Sequence, residues 1–269
     1  MQLLMIRHGQ SLSNVSWVAN GGRDLDADTD LSELGKVQAA ALGKAFAEGC
    51  YPKPDVILTS LMARAVSTAA PIAAALDMEV TGVADVHEVG GVYKRIPSAG
   101  PFSGGEDLSS RGPLDDTDTD DGSQVMAAHG RSRTELLDLC PGLVLPESAT
   151  EDGWYHKGIE THPQAWDRAC RVASRLTREY GVSAPSASLP ENAAVSGPTV
   201  ALVCHFLFSQ VLLRALMGWS PDLSEPLPSW YYLNNTGLTM TWIPNLQRAT
   251  FEIRWLNRTD HLTQDQLTD

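Results

Sequence analysis

The sequence predicts an α/β fold: a three-layer α/β/α sandwich with a largely parallel central sheet. Three observations predict it. Short, continuous apolar runs such as QLLMI (2–6), DVILTS (55–60) and PTVALVC (198–204) read as strands buried on both faces. Stretches with helical periodicity alternate with these runs at both ends of the chain, the pattern of a sheet covered by helices. The tail carries two alternating segments, TGLTMTWIP and ATFEIRWL, which read as a terminal hairpin.

The elements follow in order. QLLMI is a short strand that ends on Arg7, His8 and a glycine turn. LSELGKVQAAALGKAFAEG is an amphipathic helix, with Ser32 as N-cap and Gly49 as its stop. DVILTS is the second strand. SLMARAVSTAAPIAAAL is a helix in which Pro71 predicts a kink. EVTGVADVHEVGG holds a third strand and closes on a Gly turn. Residues 98–123 are rich in Gly, Ser, Pro and Asp and bury little apolar surface, so they predict a mobile loop. SRTELLDLCPGLVLPE gives a short helix ending before Pro141. HPQAWDRACRVASRLTREYG gives a long helix with an apolar stripe, and residues 183–197 a soft linker. PTVALVCH is another buried strand ending in a histidine, followed by the helix FLFSQVLLRALMG. The polar last dozen residues predict a frayed end. The 269 residues fit a single domain, 1–269, with an inserted cap region at about 90–165.

Composition narrows the function. The net charge is −13, from 33 acidic against 20 basic residues, which argues against a nucleic-acid or anionic-membrane surface. No apolar run approaches the roughly 18 residues of a membrane span. Residues 1–6 are too short for a secretory leader, and the four cysteines have neither metal-like nor framework spacing. The expectation is a cytoplasmic protein with reduced thiols. DDTDTDD (115–121) does not fit a calcium loop, and no zinc, P-loop or dinucleotide fingerprint occurs, so neither metal nor cofactor is expected. The aromatics of GWSPDLSEPLPSWYYLNN either build a homodimer face or cap the core.

In open parallel sheets, ligands bind beyond the carboxyl ends of the strands. Arg7, His8 and His205 all stand at such ends and can face one crevice. A histidine held by a hydrogen bond at one ring nitrogen is a nucleophile at the other. A phosphoryl group carries dispersed negative charge, and the planar forks of Arg7 and Arg64 suit its oxygens. Arg64 stands in the first turn of its helix, where backbone N–H groups also favour an anion. His205 can supply another donor. Glu88 can protonate the leaving oxygen and then activate water, with His87 and Asp85 as competitors for that role. Arg23, in GGRD, is either a loop residue or a substrate contact. Glu160, Tyr93 and Arg95 are either specificity residues or ordinary packing. In EDGWYHKGIETH, an exposed Trp154 and Tyr155 would be able to cover a ligand. Cys204 reads as a buried, inert thiol.

LLMIRHGQSLSN, TSLMARAVSTA, HEVGG and LVCH, in this order, resemble the histidine phosphatase superfamily, the clan that includes cofactor-dependent phosphoglycerate mutase. The resemblance covers the two outer thirds of the chain. It implies that His8 is the phosphorylated nucleophile, that Arg7, Arg64 and His205 complete the phosphate pocket, and that Glu88 is the proton donor. It implies that Asn14, at the RHG-x-x-x-x-N position, contacts the phosphate, and that the Gly9 carbonyl fixes the His8 tautomer. Two departures stand out. Phe206 follows the late histidine where many members have glycine, so an aromatic ring shapes the pocket instead. VANGGRDLDADTDLSELG replaces the Phe-Thr-Gly-Trp-like stretch of the mutases. The expected activity is hydrolysis of a small phosphomonoester. The alternatives are mutase-type transfer and a non-catalytic phospho-ligand binding protein.

Overall fold

The computed structural model describes residues 1–22, 26–96, 124–181, 197–219, 231–243 and 251–269. Arg23, the whole 98–123 loop with its acidic run, nearly all of the 183–197 linker, and residues 220–230 of the aromatic stretch lie outside the described residues.

The predicted sandwich is present. Seven strands form one sheet in the order β6-β3-β2-β7-β1-β8-β9. They are β1 (Gln2–Arg7), β2 (Val56–Ser60), β3 (Val80–Val83), β6 (Leu143–Val144), β7 (Thr199–Cys204), β8 (Leu238–Trp242) and β9 (Glu252–Arg258). The first five elements of that order pair in parallel, and β8 and β9 close one edge antiparallel, as the terminal hairpin predicts. β4 (Tyr93–Ile96) and β5 (Gln124–Ala127) make a separate antiparallel pair.

β1 shows why the apolar runs are unbroken. Leu4 and Ile6 enter a core with Leu42, Phe46, Val66 and Ile72, from α2 (Glu33–Ala47) and α3 (Ala63–Leu76). Leu3 and Met5 enter the opposite core with Ala169 and Val172 of α5 (His162–Tyr180) and Phe208 and Leu212 of α6 (Phe206–Leu216). Both faces exclude water, so alternation with polar residues has no place. Ser32 caps α2 by accepting from the Gly35 N–H, and Gly49 takes a left-handed φ of 75° just past its end. α3 continues through Pro71 to Leu76 as one helix.

Three findings depart from the sequence reading. A helix, α1 (Leu12–Asn20), follows the RHG turn, capped reciprocally by Ser11 and Asn14. It buries no residue: Leu12, Val15 and Val18 are exposed, so no core packing marks it as a helix. The chain end is not frayed. Gln38 Nε2 donates to the Gln266 carbonyl at 2.7 Å, and the Thr268 carbonyl accepts from Asn235 N–H at 2.9 Å. A polar segment docks here through backbone groups rather than through apolar contacts. Trp154 and Tyr155 are not exposed: they are 4% and 2% accessible and belong to the main core, beside α4 (Arg133–Leu139). Their polar atoms find partners inside. Trp154 Nε1 donates to Asp28 and the Tyr155 hydroxyl to the Gly158 carbonyl. Gly91 and Gly130, both at positive φ, make room; a Cβ on either would lie 2.0 Å from the Tyr155 hydroxyl and 2.3 Å from Trp154 Nε1.

Candidate active site

The parallel strands deliver the site residues to one end of the sheet. β1 and β7 pair in register up to Arg7 opposite Cys204, and His8 N–H donates to the Cys204 carbonyl at 3.0 Å. His8 and His205 therefore leave neighbouring strands side by side. Their rings lie 5.2 Å apart and are 4% and 0% accessible.

The bonds on His8 assign its tautomer. Nδ1 meets the Gly9 carbonyl at 2.7 Å, an acceptor only, so Nδ1 carries the proton. Nε2 accepts from Arg64 Nε at 3.2 Å, so Nε2 holds the lone pair. Burial first, and then the Arg64 and Arg7 charges, hold the His8 pKa well below the usual histidine range. His8 is thus a neutral imidazole with its unprotonated nitrogen directed at an arginine.

The cations are pinned from behind. Arg7 donates to the Leu233 carbonyl, and its guanidinium carbon stands 5.1 Å from the centroid of the Phe206 ring. Phe206 thus shapes the site by stacking on a phosphate-binding candidate. Burial lowers the Arg7 pKa to about 10, which leaves it charged at neutral pH, and Arg7 Nε is buried with no partner among the described residues. Arg64 stands in the first turn of α3, where the Ala63 N–H donates to buried Asp28 at 2.8 Å. Asp28 also accepts from Arg131 N–H and Trp154 Nε1, yet burial still raises its pKa.

His205 Nε2 meets Ser60 Oγ at 2.8 Å, at the end of β2. The Ser60 hydroxyl oxygen also accepts from Met62 N–H. His205 Nδ1 is buried without a partner among the described residues. Burial, Arg64 and His8 hold the His205 pKa well below its usual range, so His205 is a neutral imidazole.

Glu88 caps α6. Its Oε1 accepts from Val89 N–H and Phe208 N–H, both at 2.9 Å, and its Oε2 from Leu207 N–H at 3.2 Å. Its charge acts on both Arg7 and Arg64. The competitors stand elsewhere. Asp85 pairs with Lys157 at 2.9 Å, and His87 is packed edge-on against Tyr155, with its pKa lowered by burial to about 3. Asn14 Oδ1 accepts from Ser11 N–H and Ser11 Oγ and lies 3.4 Å from Asn235 Nδ2, so Asn14 is tied into the loop beneath His8. Glu160 is an interior ion-pair partner of Arg168, and Arg95 donates to the Gly21 carbonyl and stacks on Trp17. Cys204 is fully buried, and burial pushes its thiol up to about 12.

The loop Leu233–Gly237, Ser60, Thr68 and Asp28 were not singled out in the sequence. Asn235 Nδ2 and Thr236 N–H both donate to the His8 carbonyl, at 3.0 and 3.2 Å. Gly9 N–H donates to Thr68 Oγ1, which itself donates to the Arg64 carbonyl. Ser60 ends a strand at the same end as His205 and was detectable on that ground. Asp28 is one of four aspartates in DLDADTD, with nothing in the pattern to separate it.

No group of three or more metal-ligating side chains gathers among the described residues, and no described helix is long and apolar enough to cross a membrane.

The comparisons agree with the resemblance read from the motifs. The profile of the histidine phosphatase superfamily (branch 1) matches residues 3–96, which hold Arg7, His8, Arg64 and Glu88. The 2,3-bisphosphoglycerate-dependent phosphoglycerate mutase of Neisseria meningitidis is 43% identical over 68 residues, 25% of this chain. The match spans 28% of that mutase's length. Among solved structures, mycobacterial hydrolase 2 superposes with a TM-score of 0.54 at 20% identity, over 98% of this chain and 93% of its own. A mycobacterial glucosyl-3-phosphoglycerate phosphatase gives 0.52 at 18%, over 95% and 98% of the two chains. Phosphoserine phosphatase from Entamoeba histolytica, in complex with phosphoserine, gives 0.51 at 18%, over 97% and 99%. At such identities these structures speak for the shared fold.

Proposed function

We propose that the protein is a phosphomonoester hydrolase that works through a phosphohistidine at His8. The observation that carries the reading is the state of that ring. Nδ1–H is fixed on the Gly9 carbonyl, and the Nε2 lone pair is exposed to Arg64 in a buried, cationic pocket.

The chemistry follows from these contacts. A phosphate in the pocket takes the Arg64 donors, which frees the lone pair it covered. Arg7, and His205 in the tautomer that protonates the unpartnered Nδ1, donate to the remaining phosphoryl oxygens, where charge gathers in the transition state. The Nε2 lone pair forms the N–P bond as the ester P–O bond breaks. The step requires the protonated form of Glu88, which gives its proton to the leaving oxygen from Oε2, the oxygen with a single N–H contact, and is left as the carboxylate. In the second step Glu88 takes a proton from water, whose oxygen attacks phosphorus; the N–P electrons return to Nε2 and phosphate leaves. Asn14 and Gly9 act from the loop under the phosphate, Phe206 by holding Arg7. Arg23 and the 90–165 segment would choose the small phosphorylated substrate, in a single cytoplasmic domain.

The test is phosphate release from a panel of phosphomonoesters without added metal: 3-phosphoglycerate, sugar phosphates and an aryl phosphate. Release that disappears in His8→Ala, together with acid-labile labelling of the wild-type protein, supports the reading. No release from any member by a folded protein overturns it. One observation favours a second reading: the curated relatives that match 68 residues of this chain are mutases. Conversion of 3- to 2-phosphoglycerate without phosphate release would establish it.

A further inference from the structure

Among the described residues, Arg168 is the largest fully buried side chain, at 1% accessible. An arginine in an apolar interior is costly unless every donor is used. Here the donors have specific targets. Nε and one terminal nitrogen hold the Glu160 carboxylate as a two-pronged pair, at 2.7 and 2.6 Å. The other terminal nitrogen donates to the carbonyls of Asp85 and His87, both at 2.9 Å. The face of the guanidinium lies 4.4 Å from the centroid of the Phe208 ring.

Each of these contacts touches something that aims Glu88. The Asp85 and His87 carbonyls belong to the backbone immediately before it. Phe208 supplies, through its N–H, one of the three bonds on the Glu88 carboxylate. Glu160 N–H donates to the Gly90 carbonyl at 3.1 Å, in the turn immediately after Glu88. The Glu88 carbonyl itself is held by Gly91 N–H and by His87 Nδ1. Chain on both sides of Glu88, and the helix that cradles its carboxylate, thus converge on one buried ion pair.

We propose that Arg168, locked by Glu160, is a positioning residue for Glu88: it sets the direction of the proton-transferring carboxyl without touching substrate. The inference rests on the hydrolase reading above and adds to it a residue outside the residues 3–96 that the family profile matches. Any buried arginine must use its donors; here the ones left over from Glu160 end on the Asp85 and His87 carbonyls, in the chain leading to Glu88.

The test uses the dependence of rate on leaving group. An alkyl phosphomonoester needs a proton on its departing oxygen; an aryl ester such as p-nitrophenyl phosphate departs as a stable anion and does not. The quantity to measure is kcat/KM, which reports the phosphoryl transfer to His8. Arg168→Lys keeps the charge and loses the fork, so it should lower kcat/KM on the alkyl ester by about tenfold or more, a fraction of the roughly 100-fold or greater contribution of a positioned acid. The aryl ester should stay within about threefold, and Glu88→Gln should show the same divergence more strongly. Glu160→Gln, a milder change, is the second variant if Arg168→Lys does not fold. Equal losses on both esters, or none on either, in a folded variant overturn the positioning role. A wild-type protein that hydrolyses neither ester overturns instead the hydrolase reading on which it stands.

Discussion

Gly35 sits where α2 crosses the loop that carries His8, Gly9 and Gln10. A Cβ there would lie 2.0 Å from the Gln10 carbonyl oxygen and 2.9 Å from its carbon. The contact is reciprocal, for a Cβ on Gly9 would stand 2.8 Å from the Gly35 carbonyl oxygen. Gly35→Ala therefore forces two backbones apart by about 1 Å or more, since carbon–oxygen contacts settle near van der Waals separation. Overpacking of this kind costs about 1–3 kcal/mol. The opening also stretches the Ser32 N–H to Gln10 carbonyl bond, now 2.8 Å, worth about 1 kcal/mol. Alanine's better helix propensity returns about 1 kcal/mol. The net loss is about 2 kcal/mol, or a fall in Tm of about 5 °C for a chain of this size. Because the segment that moves is Gly9–Gln10, next to His8, a shift of that order should lower kcat by roughly 100-fold. Thermal unfolding and steady-state hydrolysis on one preparation check both numbers. A Gly35→Ala protein with Tm within about 1 °C of wild type and unchanged kcat would refute the argument that this crossing sets the position of His8.

Asn235→Ala removes the amide that bridges the His8 carbonyl and Thr268 Oγ1, so kcat should fall by about tenfold, with fluorescence-monitored unfolding showing a loss of about 1–3 kcal/mol for the buried groups left unpaired. Trp154→Ala should cost about 3–5 kcal/mol in a denaturant titration and leave KM unchanged, because the indole fills the core rather than covering a ligand. Stability should decline as pH falls below the ordinary histidine range. His8, His87 and His205 have lowered folded pKa values, so unfolding takes up protons there, and each adds a slope of about 1.4 kcal/mol per pH unit, continuing for His87 toward its value of about 3. Denaturant melts at pH 7, 6 and 5 measure that slope; a flat profile would mean that the three rings are not buried as neutral groups. For the same reason the acid limb of kcat/KM should lie below pH 6.5, because His8 stays unprotonated through the neutral range.

The parts of this molecule that are legible in its sequence are those set by local rules. Burial on both faces makes β1, β2 and β7 continuous apolar runs, and a strand must end somewhere, so Arg7, His8 and His205 announce themselves at the ends. Ser32 announces α2 through cap chemistry. Trp154 and Tyr155 show where residue type misleads: an aromatic pair in a polar stretch looks exposed unless the carboxylate of Asp28 and the two positive-φ glycines that receive it are known. Those partners lie more than 100 positions away from Trp154 in the case of Asp28. The same distance hides Asn235, which reaches His8 across 227 positions, and the tail that steadies Asn235. Polar contacts made through backbone groups leave no periodicity behind.

That division has a consequence for how the site works. Nothing in the His8 side chain alone fixes its tautomer, which depends on where the Gly9 carbonyl points. Gly9 N–H is bound to Thr68, and Thr68 to the backbone of Arg64, so the group that fixes the His8 proton and the arginine that meets its lone pair are linked by two hydrogen bonds. Arg168 relates to Glu88 in the same way, through main-chain atoms on either side. The motif residues supply the chemical groups, and residues far from them in sequence supply the alignment. Substitutions in the second set should therefore alter rates while leaving the motifs, and any profile built on them, intact.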